Sequence, residues 1–288
     1  MNLDESSAQH PPWWRGDDSG HRLAGKRAFV TGAGTDPDGE LVGVGEAIAV
    51  LFAVQGARVA IADIDRDRAA ATLALVNSMG GDGIVTVGDL TNVDDNRRCI
   101  DEAVDAFGGL DTVVNSAALP GGGGSPTSVP LELWDAVMDL NLRAAFLVAR
   151  HAIPHVIDAG GGSIINISTV AVSMGHGSGA YAASKAGLEA LSRDWAYAHG
   201  RQNIRVNTIE IGHIYSPMGS RSGEARRDLR RRCGLLSTEG LAWDVAWPAV
   251  FLASDESRWI TGVQLPVDAG TSSTGAYAIS LLNDRNPE

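Results

Sequence analysis

The chain has 288 residues, of which 44% are hydrophobic and 20% charged, so it can bury the core of a globular protein. Its formal net charge of −12 argues against nucleic acid as a partner, because contact with a phosphate backbone requires a basic surface. The two cysteines, Cys99 and Cys233, show neither metal-ligand spacing nor a disulfide framework, which fits a reducing, cytoplasmic compartment.

The two ends of the chain differ from its centre in composition. The first twenty residues lack an apolar segment, so no secretory signal is expected, and residues 1–24 are interpreted as an N-terminal arm. The most apolar stretch, residues 42–62, contains Glu46, Gln55 and Arg58, so no membrane span is expected. Residues 25–270 have one uniform composition and are predicted to form a single domain, followed by a C-terminal tail at 271–288.

Strand-like and helix-like segments alternate through this domain. Strands are predicted at 27–31, 58–62, 84–87, 111–115, 163–167, 204–209 and 265–267, and helices at 43–55, 66–79, 93–107, 131–157 and 180–199. The strands are rich in Val, Ile and Ala, as buried parallel strands require. This order predicts an α/β fold in which helices cover both faces of a doubly wound parallel sheet.

Glycines cluster where the first strand leads into the first helix. The strand ends at Thr31 and is followed by Gly32, Gly34 and Thr35, and the helix opens with Gly43-Val44-Gly45. Glycine lets the backbone approach a pyrophosphate, and a helix N-terminus offers free N–H groups. The alternative is a tight turn without a ligand, but the position between strand and helix favours a dinucleotide site.

Asp63 ends the second strand, where a carboxylate can accept hydrogen bonds from both hydroxyls of an adenosine ribose. The same charge would repel a 2′-phosphate, which favours NAD over NADP. Asp63 could instead cap the following helix, although Asp65 could serve as that cap.

The ends of the third and fourth strands supply further candidates for the cofactor site. Asp89, followed by Leu90, could hold the adenine amino group or cap the next helix. Asn115 and Ala117 belong to a run of small residues that would let the backbone pass under a flat cofactor.

The candidate reacting groups lie further along the chain. Tyr181 and Lys185 are spaced i and i+4, so they share one helix face, and an ammonium there is expected to lower the tyrosine pKa from its usual value of about 10. Ser168 ends the fifth strand and is expected to hydrogen-bond the substrate oxygen. The ordered set predicts acid–base chemistry on an alcohol or a ketone.

Together these motifs resemble the short-chain dehydrogenase/reductase family, from about Leu23 to Gly270. The resemblance implies a Rossmann fold with seven parallel strands, NAD as cofactor, hydride transfer between a secondary alcohol and a ketone, and commonly a homotetramer. It rests on Thr31-Gly32, Gly43-Val44-Gly45, Asp63, Asp89, Asn115-Ser116-Ala117, Asn141, Ser168, Tyr181, Lys185, Arg205-Val206-Asn207, Phe251–Asp255, Ile260-Thr261-Gly262 and Val267–Gly270.

The resemblance also implies residue roles. Tyr181 gives or takes the proton, Lys185 lowers the Tyr181 pKa and binds the nicotinamide ribose, and Ser168 positions the substrate oxygen. Asn141 would hold a water that links Lys185 to solvent. Gly212, the Ile214 backbone and Ser216 would form the turn and the clamp around the nicotinamide carboxamide, while Gly32, Gly34, Thr35, Val44, Asp63, Asp89, Leu90, Asn115 and Ala117 would line the rest of the cofactor site.

The sequence departs from the family pattern in three places. Residues 36–42 lengthen the glycine-rich loop, as in one subgroup of the family, and the acidic residues Asp36, Asp38 and Glu40 predict that it bulges away from the phosphates. Asn115-Ser116-Ala117-Ala118 replaces the usual Asn-Asn-Ala-Gly. Ile211-Gly212 replaces the usual Pro-Gly.

A substrate lid is predicted at about 217–240. It carries six arginines, which could attract an anionic substrate or, as we prefer, pair with acidic neighbours on a solvated helix: Arg221, Arg226, Arg227, Arg230, Arg231 and Arg232. Met174, His176, His213 and Tyr215 are candidate pocket walls. The alternatives to a secondary-alcohol dehydrogenase are a 3-oxoacyl thioester reductase and a non-catalytic NAD(H) sensor or scaffold.

Overall fold

The computed structural model describes residues 21–35, 39, 41–121, 123–175, 177–220 and 223–285. Several predictions therefore lie outside the described residues. They concern the N-terminal arm up to residue 20, the acidic loop residues Asp36, Asp38 and Glu40, the pocket-wall candidate His176, and the lid arginine Arg221.

Seven parallel strands form one sheet, which confirms the predicted α/β architecture. In spatial order they run β3-β2-β1-β4-β5-β6-β7. The chain order reverses between β1 and β4, and ligands of open α/β sheets bind at such a switch point. The strands are β1 (Arg27–Thr31), β2 (Arg58–Asp63), β3 (Asp82–Val87), β4 (Thr112–Asn115), β5 (Gly162–Thr169), β6 (Ile204–Ile211) and β7 (Gln264–Val267).

Helices cover both faces of the sheet, because successive strand residues point to opposite sides. Ala28 and Val30 pack in a core formed with α1, α2 and α9, whereas Phe29 packs on the other side with α3, α5 and α6. The helices are α1 (Val44–Val54), α2 (Arg66–Ser78), α3 (Val93–Phe107), α4 (Leu131–Met138), α5 (Ala144–Asp158), α6 (Ala180–His199), α7 (Pro217–Ser220), α8 (Glu224–Arg231), α9 (Ala242–Ala253) and α10 (Ala276–Arg285).

The single helix predicted over 131–157 is divided into α4 and α5. Between them lies a π-helical segment, Asp139–Arg143, with one extra residue per hydrogen-bonded turn. Asn141 lies inside this segment and is 1% exposed. Such segments often occur at functional sites, because they change the direction of a side chain without breaking the helix.

Four helices were not predicted. Among them, α9 is apolar on most of its surface and packs against α1, so it lacks the periodicity of a half-exposed helix. The predicted lid contains α7 and α8, and the predicted tail contains α10. Hydrogen bonds from Thr271 Oγ1 to Cys233 O (3.4 Å) and from Asn283 Nδ2 to Arg232 O (3.4 Å) join lid and tail. Across the described residues, no helix is long and apolar enough to cross a membrane.

Candidate active site

A cleft of about 690 Å³ opens at the carboxyl ends of the strands. It brings together eleven of the predicted site residues: Gly32, Gly34, Thr35, Val44, Asp63, Asp89, Leu90, Ala117, Tyr181, Lys185 and Ser216. Five others do not line it: Asn115, Asn141, Ser168, Gly212 and Ile214.

Glycines form the floor of the cleft between β1 and α1. Gly32 has a φ of +61°, and a Cβ there would lie 2.6 Å from the Cα of Ala117. A Cβ on Gly45 would overlap the carbonyl oxygen of Gly32. Only glycine allows these segments to approach so closely, and the first N–H groups of α1 have no partner within the helix. The floor therefore fits the pyrophosphate of a dinucleotide.

The carboxylate of Asp63 is held at the end of β2. Its Oδ2 accepts a hydrogen bond from Gly34 N at 2.8 Å, and its Oδ1 accepts one from Asp65 N at 3.1 Å. The N-cap of α2 is Asp65, whose side chain accepts hydrogen bonds from Asp67 N and Arg68 N. Asp63 is thus not the cap, and its carboxylate lines the cleft.

Two charged residues beside the glycine-rich loop, which also line the cleft, were not predicted. Arg68 extends from α2, and its guanidinium donates to the carbonyl oxygens of Thr35 (3.3 Å) and Gly34 (3.4 Å). Glu46 is buried in the first turn of α1, accepts a hydrogen bond from Gly43 N at 3.0 Å, and has a pKa raised by burial. Only the strand–helix arrangement brings these side chains beside the glycine-rich loop.

Asp89 does not cap the following helix. Its Oδ1 accepts hydrogen bonds from Thr91 N (2.9 Å) and Thr91 Oγ1 (2.7 Å), and Asn92 is the N-cap of α3. The interpretation as a cap is therefore wrong. Asp89 and the neighbouring Leu90 instead line the cleft.

The hydroxyl that contacts the Tyr181 phenol belongs to Thr169, not to Ser168. The Thr169 side chain lies close enough to the phenol to lower its pKa as a hydrogen-bond donor. Ser168 is fully buried and donates a hydrogen bond to Glu189 Oε1 at 2.5 Å. Successive strand residues point to opposite faces, so only one of the two hydroxyls can face Tyr181. The structure thus corrects the role expected for Ser168.

The period-2 alternation of β5 was the signal that could have identified Thr169. Asn166 and Ser168 share one side of the strand, and Asn166 Nδ2 donates to Ser192 Oγ on α6 at 2.7 Å. Both polar side chains therefore bond to the body of α6. Thr169, on the other side and last in the strand, is left to meet the first turn of that helix.

Burial determines the pKa values of the two central groups. It lowers the pKa of Lys185 to about 8 and raises the pKa of Tyr181 to about 12, while the Thr169 hydrogen bond acts to lower the latter. Lys185 Nζ donates to Ile167 O at 2.7 Å and lies 6.0 Å from the centre of the Tyr181 ring. Loss of hydration therefore dominates the Tyr181 pKa in the protein alone, and a lowering by the Lys185 ammonium stays a prediction.

Asn141 fixes the loop that follows β4. Its Oδ1 accepts a hydrogen bond from Leu119 N (2.7 Å), and its Nδ2 donates to Leu119 O (3.0 Å) and Ser184 Oγ (3.2 Å). The side chain thus makes three protein hydrogen bonds, and the water expected at Asn141 stays a prediction. Asn141 lines, with Lys185, a separate cavity of about 10 Å³.

The remaining predicted cofactor residues have structural contacts beside the cleft. Asn115 Nδ2 donates to Asn166 Oδ1 at 2.8 Å and so links β4 to β5. Gly212 packs against Asp268, since a Cβ there would lie 2.6 Å from the Asp268 Cα. Ile214 is buried beside the turn, and Ser216 alone of the clamp residues reaches the cleft.

Three lid arginines pair with acidic neighbours, as we preferred from the sequence. Arg227 donates through Nε and Nη2 to Glu239, each at 2.7 Å, and its guanidinium lies 3.8 Å from the Tyr215 ring centre. Arg231 and Arg232 pair with Asp228, at 3.4 and 2.7 Å. Three guanidinium groups of the lid thus share two carboxylates.

Comparison with known proteins gives consistent matches over most of the chain. A family profile described as "Enoyl-(Acyl carrier protein) reductase" matches residues 39–272. The chain is 35% identical over 253 residues to 2,5-dichloro-2,5-cyclohexadiene-1,4-diol dehydrogenase LinX of Sphingobium indicum, covering 88% of this chain and 98% of that protein. It is 33% identical over 250 residues to 3-oxoacyl-[acyl-carrier-protein] reductase FabG of Thermotoga maritima, covering 86% and 98%.

A solved structure matches the fold over a similar extent. Carveol dehydrogenase from Mycobacterium avium, in complex with NAD, superposes with a TM-score of 0.81 at 28% identity, and the match covers 88% of this chain and 99% of that one.

Proposed function

Because the chain belongs to the short-chain dehydrogenase/reductase family of oxidoreductases, we propose that it interconverts a secondary alcohol and a ketone with NAD(H). The observation that carries the proposal is a cleft that has Tyr181 and Lys185 in its wall, with Thr169 beside the Tyr181 phenol, and glycines in its floor. When bound, the nicotinamide ring supplies or accepts a hydride at the substrate carbon.

Residues along the cleft fit this cofactor. Gly32 and the first turn of α1 would hold the pyrophosphate, because the glycines let the backbone come close and the first N–H groups of a helix have no partner within it, while Gly34 N holds the Asp63 carboxylate. Lys185 would bind the nicotinamide ribose, and Ser216 would contact the carboxamide, as the family resemblance implies.

Asp63 supports NAD rather than NADP. Two backbone N–H groups hold the Asp63 carboxylate in place. Beside the adenosine ribose this charge would repel the 2′-phosphate that distinguishes NADP from NAD. Arg68 is the nearby cation, but its guanidinium already donates to two carbonyl oxygens. We therefore propose NAD as the preferred cofactor.

In the proposed reaction, Tyr181 Oη gives the proton during ketone reduction and takes it during alcohol oxidation. Thr169 orients the substrate oxygen toward that phenol. The raised pKa of Tyr181 keeps the proton on the phenol at neutral pH, so the protein alone is prepared to act as an acid. Lys185 supplies positive charge beside the phenol when protonated, which favours the base required in the opposite direction.

The walls near Tyr181 support an uncharged, apolar substrate. Leu119, Pro120, Ile211 and Met218 line this part of the cleft. LinX is named as a dehydrogenase of a cyclic diol, so we propose a cyclic secondary alcohol. The second candidate, a 3-oxoacyl thioester reductase, is favoured by the likeness to FabG, but three of the lid arginines already pair with Glu239 and Asp228.

The test is the NADH absorbance band measured with a panel of cyclic secondary alcohols and their ketones. We expect turnover with NAD(H) in the wild type and none in Tyr181→Phe. NADH binding, measured by the change in protein fluorescence, should persist in Tyr181→Phe. NADH binding without turnover on any alcohol, ketone or thioester would replace this proposal with the non-catalytic sensor.

We further propose a homotetramer in the cytoplasm. Large apolar side chains are exposed on the surface of the described part of the chain, among them Phe146 (43%), Tyr197 (89%) and Trp259 (91%). Side chains of this kind are enriched at protein interfaces. The division into an N-terminal arm, one domain with a lid at 217–240, and a tail belongs to the same proposal.

A further inference from the structure

Three consecutive residues at the end of β5 contact one face of α6. On α6 the three contact residues are spaced four apart, so they form a single stripe along the helix. The contacts are Thr169 with Tyr181, Ile167 O with Lys185 Nζ, and Ser168 Oγ with Glu189 Oε1. The first two belong to the proposed reaction, and the third has no part in it so far.

Glu189 is an unusual residue at this position. Its residue exposure is 6%, and burial raises the pKa of its carboxyl, opposed by the Ser168 hydrogen bond and by the charge of Arg193. Glu210 pairs with Ser168 across the sheet on β6, and burial and the charge of Glu189 raise the pKa of its carboxyl. Burying a carboxyl is unfavourable unless hydrogen bonds compensate. The hydrogen bond to Ser168 is therefore the contact to explain.

We propose that Glu189 is a positioning residue, which fixes the end of β5 against α6 through Ser168 and so aims the Thr169 hydroxyl at Tyr181. The inference rests on the proposed function. Ser168 and Thr169 share a planar peptide bond, so anchoring one restricts the direction of the other. Catalytic groups lose much of their effect when displaced by about 1 Å.

The experiment compares Glu189→Gln with Glu189→Leu in the full-length protein. The glutamine amide oxygen can still accept the Ser168 hydrogen bond, whereas leucine cannot. We expect Glu189→Gln to keep kcat within about threefold of the wild type, and Glu189→Leu to lower kcat by about tenfold or more. Ser168→Ala should resemble Glu189→Leu. KM for NAD and the affinity for NADH should stay unchanged in all three variants.

Ser163→Ala is the matched control. Ser163 is also a buried serine of β5, but at the opposite end, where its Oγ donates to Leu252 O at 2.8 Å. We expect the midpoint of thermal unfolding to fall about as much in Ser163→Ala as in Ser168→Ala, whereas kcat should stay unchanged in Ser163→Ala. If Glu189→Leu does not fold, the comparison of Ser168→Ala with Ser163→Ala decides.

Four results would overturn the inference. An active wild type with unchanged kcat in Glu189→Leu or Ser168→Ala would remove the positioning role alone. So would an equal loss in Glu189→Gln and Glu189→Leu, or an equal loss in Ser163→Ala. A wild type that binds NADH but turns over no substrate would remove the proposed function and this inference with it.

Discussion

Thr169 and Ser168 show how one residue step along a strand separates two environments. Thr169 meets the Tyr181 phenol, and Ser168 meets the buried carboxyl of Glu189. The sequence identified the Tyr181–Lys185 pair because a helix fixes which residues share a face. It did not distinguish the two adjacent hydroxyls, because the register of β5 relative to α6 depends on tertiary packing.

Substituting Thr169 tests which hydroxyl serves the reaction. Thr169→Val removes the hydroxyl at nearly constant volume, so we expect kcat to fall by about a hundredfold, as for the loss of one orienting hydrogen-bond donor. Thr169→Ser keeps the hydroxyl and should retain most of kcat. Steady-state kinetics with a cyclic alcohol measures both. A Thr169→Val enzyme as active as Thr169→Ser would assign the role elsewhere.

Substituting Asp63 tests cofactor choice. Asp63→Ser removes the carboxylate at the ribose end, so we expect kcat/KM for NADP to rise relative to NAD by about tenfold or more. Asp65→Ser is the control, because Asp65 lies two residues away but caps α2, and serine is also a good cap. Equal shifts in both variants, or none in Asp63→Ser, would argue against Asp63 as the selector.

Among the elements, the loop after β4 has contacts that no local sequence pattern revealed. Asn141, in the π-helical segment, holds Leu119 at one end of this loop. Further along, a Cβ on Gly121 would lie 2.8 Å from Tyr181 N and 3.1 Å from Tyr181 Cβ. The loop therefore packs directly on the first turn of α6, where a side chain would force backbone to move.

Gly121→Ala should displace Tyr181 and lower kcat by about tenfold or more, because the clash is with backbone atoms that cannot rotate away. Gly123→Ala is the matched control in the same loop, since its Cβ would meet only Gly177 O, at 3.4 Å. We expect this control to keep its kcat. Turnover of both variants at saturating NAD measures the effect, and an unimpaired Gly121→Ala would contradict it.

Predictability differed between elements for physical reasons. The boundaries of α3 and α6 agree with those predicted, because their apolar periodicity and polar ends are clear in the sequence. The helix α9 was missed because it is buried on most sides, and the π-helical segment was missed because no local pattern encodes it. The seven-strand sheet followed from the alternation of elements together with the family resemblance.

For the molecule as a whole, the buried amine of Lys185 makes stability depend on pH. Its pKa is about 8 when folded and 10.5 ordinarily, so the unfolded chain binds more protons between these values. The contribution of this group to the free energy of unfolding therefore rises from pH 8 to pH 10.5. Below pH 8 the burial penalty is present in full, at about 3 kcal/mol.

Lys185→Met should therefore raise the free energy of unfolding at pH 7, by about 2 kcal/mol after loss of the hydrogen bond to Ile167. The advantage should shrink as the pH rises from 8 to 10.5. Urea unfolding at several pH values measures this. The substitution is also made in a Tyr181→Phe background, because the raised pKa of Tyr181 by itself lowers stability above about pH 10. A less stable Lys185→Met at pH 7 would contradict the assignment.

Assembly can be tested at the same scale. Sedimentation equilibrium at micromolar concentration should give four times the mass of one chain, because exposed aromatic side chains such as Tyr197 and Trp259 would be buried between subunits. Phe146→Glu and Tyr197→Glu should weaken that assembly, whereas Arg66→Glu, at the exposed first position of α2, should leave it intact. A monomer in the wild type would remove the tetramer proposal.

The burial of the Tyr181 phenol has a consequence for its acidity once NAD is bound. In the free protein the phenol holds its proton up to about pH 12. A cationic nicotinamide ring beside the phenol would favour its ionised form and so lower its pKa. The phenol should therefore titrate at a lower pH with NAD bound than in the empty enzyme, and alcohol oxidation should rise with pH over that lower range.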